Sequence, residues 1–232
     1  MNLITGDSHS NYIMFNNSTH LLCSAGSAKG LNNPQSISQY NNIIIDNIKN
    51  NNYSNLFFLF GGVDVDFCFI HKYLKNNNID YKEFNLEVIY NYLNFIKHVK
   101  AIYNDKKITI LSIGLPCLDD THLKDGLLNG HINGLENQDI NILKQNLLNC
   151  ELPDIYKRTK ITLDFNEKLK EEIGKLNDPD INYLDVTTFT YDSQLKRIKD
   201  EHFTRHDHHN LDRNKYINNM INQYLSNSFC HR

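Results

Sequence analysis

Asn2-Leu3-Ile4-Thr5-Gly6-Asp7-Ser8-His9-Ser10 is the stretch on which the rest of the chain turns. Asn2 to Thr5 is too short for a helix and has the apolar, β-branched character of a buried parallel strand. Gly6 permits the sharp turn that lifts the next hydroxyl out of the sheet. Ser8 is therefore expected at the carboxyl end of strand one, where open α/β sheets place their ligands. A plainer reading is that Asp7 and Ser8 only cap a helix, because short polar side chains bond the unpaired amides there. The far end of the chain favours the chemical reading. Asp207, His208 and His209 stand just before an amphipathic segment, and a serine nucleophile needs a base that is itself oriented by a carboxylate.

Outward from Ser8, Thr19 to Cys23 reads as a second strand and Ser24 to Gly30 as a small-residue loop that lacks the ending of a P-loop. A helix is expected from Pro34 and Ser36 through Ile48. Leu56-Phe57-Phe58-Leu59-Phe60 is continuously apolar and stopped by Gly61-Gly62, as a central strand covered on both faces should be, with Asp64 and Asp66 behind it. Phe84 to Tyr103 repeats its apolar residues at helical spacing, and Lys107 to Ile113 is another buried strand. Cys117 to Asn137, with no strong period, reads as a long loop above the strand ends, its His122 and His131 ordinary loop residues. Helices over Ile140 to Leu148 and Ile155 to Ile173, a strand over Ile181 to Val186 and a helix over Leu211 to Leu225 complete the chain. Alternating strands and helices predict an α/β fold: a three-layer α/β/α sandwich around a mostly parallel sheet, one domain over residues 1–232.

Bulk properties exclude several classes. A net charge of −3 with lysines scattered among acids gives no basic face for nucleic acid. No apolar run reaches membrane-spanning length and no leader pattern opens the chain, so a membrane partner is not expected and a cytoplasmic location is. The five cysteines show no CxxC or metal-ligand rhythm, which predicts reduced thiols. The asparagine runs read as solvated loop tips, and nothing speaks to oligomeric state.

With Ser8 at one end and Asp207 and His209 at the other, the sequence resembles the SGNH, or GDSL-like, hydrolases over nearly its whole length. Gly6-Asp7-Ser8 is similar to that family's first block, Ala25 to Leu31 to its second, Gly61-Gly62-Val63-Asp64 to its third, and Asp207-His208-His209 to its last. The resemblance implies a flavodoxin-like fold and ester hydrolysis without cofactor or metal. Ser8 would be the nucleophile, Asp207 the acid and His209 the base, with His208 as the alternative base; Gly26, Gly62 and Asp64 would line the oxyanion and substrate site. A small-molecule or glycan ester is the implied substrate, with removal of acyl or acetyl groups from carbohydrate favoured.

Two departures from the family pattern stand out. Val63 occupies the place of an asparagine that donates to the oxyanion, and the neighbouring Asp64, unable to donate while ionised, is expected to accept backbone amides instead. Asp207 and His209 are also closer together than the family's acid and base. His209 is preferred over His208 because alternate positions of an extended stretch project to the same side. Two other functions remain open: a non-catalytic glycan-binding or scaffold module, and a metal-dependent phosphohydrolase built on His202, His206, Asp207, His208 and His209.

Overall fold

Leu56 to Leu59 shows why the sheet forms where it does: Leu56 and Phe58 enter one apolar cluster, Phe57 and Leu59 another, so alternate residues fill the cores on opposite faces. The computed structural model describes residues 1–75, 79–126, 143, 145–150, 152, 154–203, 219 and 222–223. Its main sheet is built from β1 (Asn2–Gly6), β2 (Ser18–Leu22), β3 (Asn55–Leu59), β4 (Lys107–Leu111) and β5 (Ile181–Leu184), in the order β2-β1-β3-β4-β5. Every pairing in it is parallel. The chain steps outward from β1 to β2 and then crosses back to β3, so the winding direction reverses between β1 and β3. Ligands of open α/β sheets bind at such a switch point, beyond the carboxyl ends of the strands.

One face is covered by helices α1 (Tyr40–Asn50), α3 (Tyr81–Ile102) and α5 (Ile155–Gly174). Ile44 and Ile48 of α1, Val88 to Val99 of α3 and Ile161, Phe165, Leu169 and Ile173 of α5 supply its core. Asp80 and Asp154 start the two longer helices by accepting from the amides of Lys82 (2.9 Å) and Lys157 (2.8 Å). On the other face, among the described residues, Tyr12, Ile13, Phe15, Leu115, Cys117, Val186 and Ile198 pack on Ile4, Phe57, Leu59 and Leu111.

The structure departs from sequence expectation in several places. The first helix begins at Tyr40, since residues 29–39 are taken up by a 3-10 turn and two further turns. A π-helical turn (Asp64–Cys68) runs directly into α2 (Phe69–Lys75). Part of the expected loop after Cys117 is helical: Asp119 Oδ1 accepts from the His122 amide at 2.8 Å and opens α4 (Asp120–Gly126), so His122 is a helix residue. A short antiparallel pair, β6 (Tyr191–Asp192) and β7 (Arg197–Ile198), follows β5. Residues 127–142 with His131, and most of the closing helix expected over Leu211 to Leu225, lie outside the described residues; residues 219, 222 and 223 are helical. Among the described residues no helix is long and apolar enough to cross a membrane, and Cys23, Cys68, Cys117 and Cys150 are free thiols.

Candidate active site

At the end of β1 the chain turns tightly against β3. A Cβ at Gly6 would collide with the Leu59 carbonyl and come within 2.6 Å of Ser10 Cβ, so only glycine lets the turn fold back here. The Asp7 amide donates to the Leu59 carbonyl at 3.1 Å, and the Asp7 carbonyl accepts from the Ser10 amide at 2.9 Å. Ser8–Tyr12 forms one 3-10 turn, capped by the Asp7 carboxylate through the His9 amide at 2.9 Å. Asp7 is thus a cap, as the plainer reading of the sequence has it. Ser8 is left half-buried at the carboxyl end of β1, beside the switch point.

The Asp7 carboxylate is fully buried and bonded on both oxygens. Oδ1 takes the His9 amide and lies 3.1 Å from His9 Nδ1, while Oδ2 accepts from the amides of Gly61 (3.2 Å) and Val63 (3.3 Å). It therefore ties the serine turn to the loop after β3. His9 continues the tie, because its Nε2 lies 3.3 Å from Asp66 Oδ2 on the π-turn. With a carboxylate facing each ring nitrogen, the arrangement favours an imidazolium that donates to both. Burial, the largest single influence, pushes the His9 pKa down; the charges and bonds of Asp7 and Asp66 together outweigh it and lift the pKa to about 10.

Asp64, also buried, accepts from the Ala28 amide at 2.6 Å and so holds the small-residue loop that follows β2. Burial raises its pKa to about 7, opposed by the amide bonds it receives and reinforced by the nearby Asp7 charge. Its role as an acceptor of backbone amides is the one that a carboxylate at this position can fill. Within that loop Ala25 takes a left-handed φ of 56°, and the Gly26 amide donates to the Cys23 carbonyl at 2.8 Å. That amide is committed to a turn, and the oxyanion role expected of Gly26 requires the bond to open or be shared. Val63 has no donor side chain and its amide is engaged by Asp7. Gly62 backs the His9 ring: a Cβ there would stand 2.6 Å from Nδ1.

Asp207, His208 and His209, with His206, lie outside the described residues. His202 is described, half-buried in a 3-10 turn with Nε2 3.5 Å from Glu201 Oε1, and burial lowers its pKa. Among the described residues no group of three His, Cys, Asp or Glu side chains converges to hold a metal. Sequence reasoning missed His9, Asp66 and Arg158. The buried Arg158 guanidinium donates to the Leu118 carbonyl (2.7 Å) and Asp120 Oδ1 (3.3 Å), and it feels the Asp66 charge. The only early signal for the cluster was the Asp-x-His spacing around Ser8 and the pair of acids after the third strand.

No family model and no curated protein matches the sequence. Solved structures do match its fold. A protein from Bacteroides fragilis NCTC 9343 described as a candidate acylhydrolase superposes with a TM-score of 0.57 at 11% identity, covering 98% of this chain and 86% of its own. A Streptococcus pneumoniae protein described as a candidate platelet activating factor superposes with a TM-score of 0.54 at 16% identity, covering 97% of this chain and 83% of its own. At these identities the likeness establishes the α/β fold.

Proposed function

We propose that the chain is a serine-dependent ester hydrolase of the SGNH type, with Ser8 as nucleophile. The observation that carries this is the place of Ser8: half-buried at the carboxyl end of β1, at the switch point of a β2-β1-β3-β4-β5 parallel sheet, on a turn anchored from below by the buried Asp7. The acylhydrolase description of one fold neighbour agrees with this chemistry.

In this reading Ser8 Oγ attacks the ester carbonyl while His209 takes its proton and Asp207 orients the imidazole; the imidazolium returns the proton to the departing alcohol as the ester C–O bond breaks, and water activated by the same histidine then splits the acyl-serine into the acid and free Ser8. His208 is the alternative base. These three residues enter through the family resemblance. The Ser8 amide would receive the developing oxyanion, joined by Gly26 once its amide leaves the Cys23 carbonyl. Gly62 and Asp64 act one step removed, by backing His9 and holding the loop at Ala28. The favoured substrate is an acylated or acetylated carbohydrate or a small ester.

One observation favours a second reading, a weakly active or non-catalytic binding module of the same fold. Val63 replaces a donor side chain, and both its amide and that of Gly26 are spent on internal bonds. Each missing oxyanion donor costs about 100- to 1,000-fold in rate. The readings separate in an assay of short-chain aryl ester hydrolysis by the unmodified protein and Ser8→Ala. Turnover that vanishes with the hydroxyl supports the hydrolase, and turnover equal in both proteins removes the serine mechanism.

A further inference from the structure

Ser8 sits between two residues, Asp7 and His9, that are bonded to each other and reach in different directions. From the end of β1 the charges alternate in sign: the buried Asp7 and His9, the partly buried Asp66, then the buried Arg158 on α5 and the half-exposed Asp120 on α4. We propose that His9, its ring gripped by Asp7 on one side and Asp66 on the other, is the positioning residue that fixes the Ser8 turn onto the π-turn after β3. This rests on the reading of Ser8 as the nucleophile.

Three features of the surroundings belong to such a clamp. A buried ion chain is seldom worth more than an apolar packing of the same volume, so what it supplies here is a fixed geometry. Gly62 leaves the space that the ring fills, since a Cβ would stand 2.6 Å from Nδ1 and 2.7 Å from Cγ. The π-turn, an uncommon conformation enriched at functional sites, is the segment that brings the Asp66 carboxylate to Nε2. The groups around the ring come from each packed element: Asp7 from the end of β1, Gly62, Asp66 and Phe67 (ring centroids 6.1 Å apart) from the segment after β3, and beyond them Asp64 and the Arg158 guanidinium of α5. A nucleophile on a turn needs this support, because a displacement of about 1 Å can cost about 100-fold in rate.

Three measurements on the full chain decide the matter. In a ¹⁵N-histidine titration both ring nitrogens of His9 should be protonated at pH 8, and Asp66→Asn should lower the midpoint by at least about one unit. A His9 that titrates near its ordinary value overturns the clamp. In hydrogen exchange, the Ser10 and Ile13 amides of the turn should exchange at least about tenfold faster in His9→Gln and in Asp66→Asn while β3 stays protected. Unchanged exchange at the turn overturns the positioning role. Should His9→Gln fail to fold, Asp66→Asn carries the test, since it keeps the side-chain volume while removing the charge that grips Nε2. The rate of Ser8 modification by a fluorophosphonate should fall at least about tenfold in Asp66→Asn, and an undiminished rate again overturns the role. If the unmodified protein is not labelled at all, the hydrolase reading fails, while titration and exchange still decide the clamp.

Discussion

Asp7 and His9 are bonded twice across the serine between them: Asp7 Oδ1 accepts from the His9 amide at 2.9 Å and faces Nδ1 of the same residue at 3.1 Å. One carboxylate therefore both caps the turn that presents Ser8 and orients the ring that joins this turn to Asp66. The consequence is a titration far from ordinary histidine behaviour. The His9 pKa is about 10 in the folded chain, against 6.5 for the free side chain, so the folded state holds this proton more tightly than the unfolded one. Its contribution to stability is complete below about pH 6.5 and is lost as pH rises through about 10. Thermal unfolding midpoints measured across that window should fall with pH, and fall less in His9→Gln. Equal slopes in the two proteins would remove His9 as the source.

Asp64 gives a second, separate window. Burial first of all raises its pKa to about 7 from 3.8, so its contribution is present below the ordinary carboxylate value and is lost as pH rises through about 7. Asp64→Asn keeps an acceptor for the Ala28 amide without a buried charge, and should flatten the stability profile between those values. Asp64→Leu leaves that amide without its acceptor and should cost about 1–3 kcal/mol relative to Asp64→Asn in urea unfolding at any pH. A Leu variant as stable as the Asn variant would mean that the bond to Ala28 does not hold the loop.

Gly62→Ala tests the packing of the ring directly. The added methyl would overlap Nδ1 and Cγ of a ring that two carboxylates hold in place, so the variant should lose about 1–3 kcal/mol in denaturant unfolding. It should also show faster exchange of the Ser10 amide. An alanine tolerated at no cost would show that His9 moves freely.

The central strands were legible in the sequence because β1, β3 and β4 are short, mainly apolar runs closed by Gly6, Gly61-Gly62 and Gly114-Leu115-Pro116, and buried parallel strands have that appearance. Ser8 was legible for the same reason, as the first hydroxyl past the end of such a run. The clamp was not, because His9 and Asp66 meet only once β1 and β3 are known to be neighbours, and no periodicity marks a single π-turn. Composition showed that Ser24 to Gly30 was permissive, yet the direction of the Gly26 amide depends on the left-handed Ala25, which small side chains do not announce. Helix α4 escaped for lack of length: seven residues give too few apolar repeats to set against the glycines around them.

The proposed base rests on the resemblance and on the projection of alternate residues, so it is tested by substitution. At saturating substrate His209→Ala should lose at least about 1,000-fold in turnover, and His208→Ala far less. The reverse ranking transfers the role to His208, and two mild effects would remove the triad from this stretch of chain.

The most direct measurement of the central claim is the site of covalent modification. The folded protein is treated with a fluorophosphonate, digested, and its adduct mapped by mass spectrometry, with Ser8→Ala treated in parallel. An activated serine nucleophile predicts a single phosphonyl adduct on Ser8 of the unmodified protein and none in Ser8→Ala, with unfolding transitions that coincide. An unmodified protein that takes up no label, or an adduct on another residue that persists in Ser8→Ala, would contradict the account.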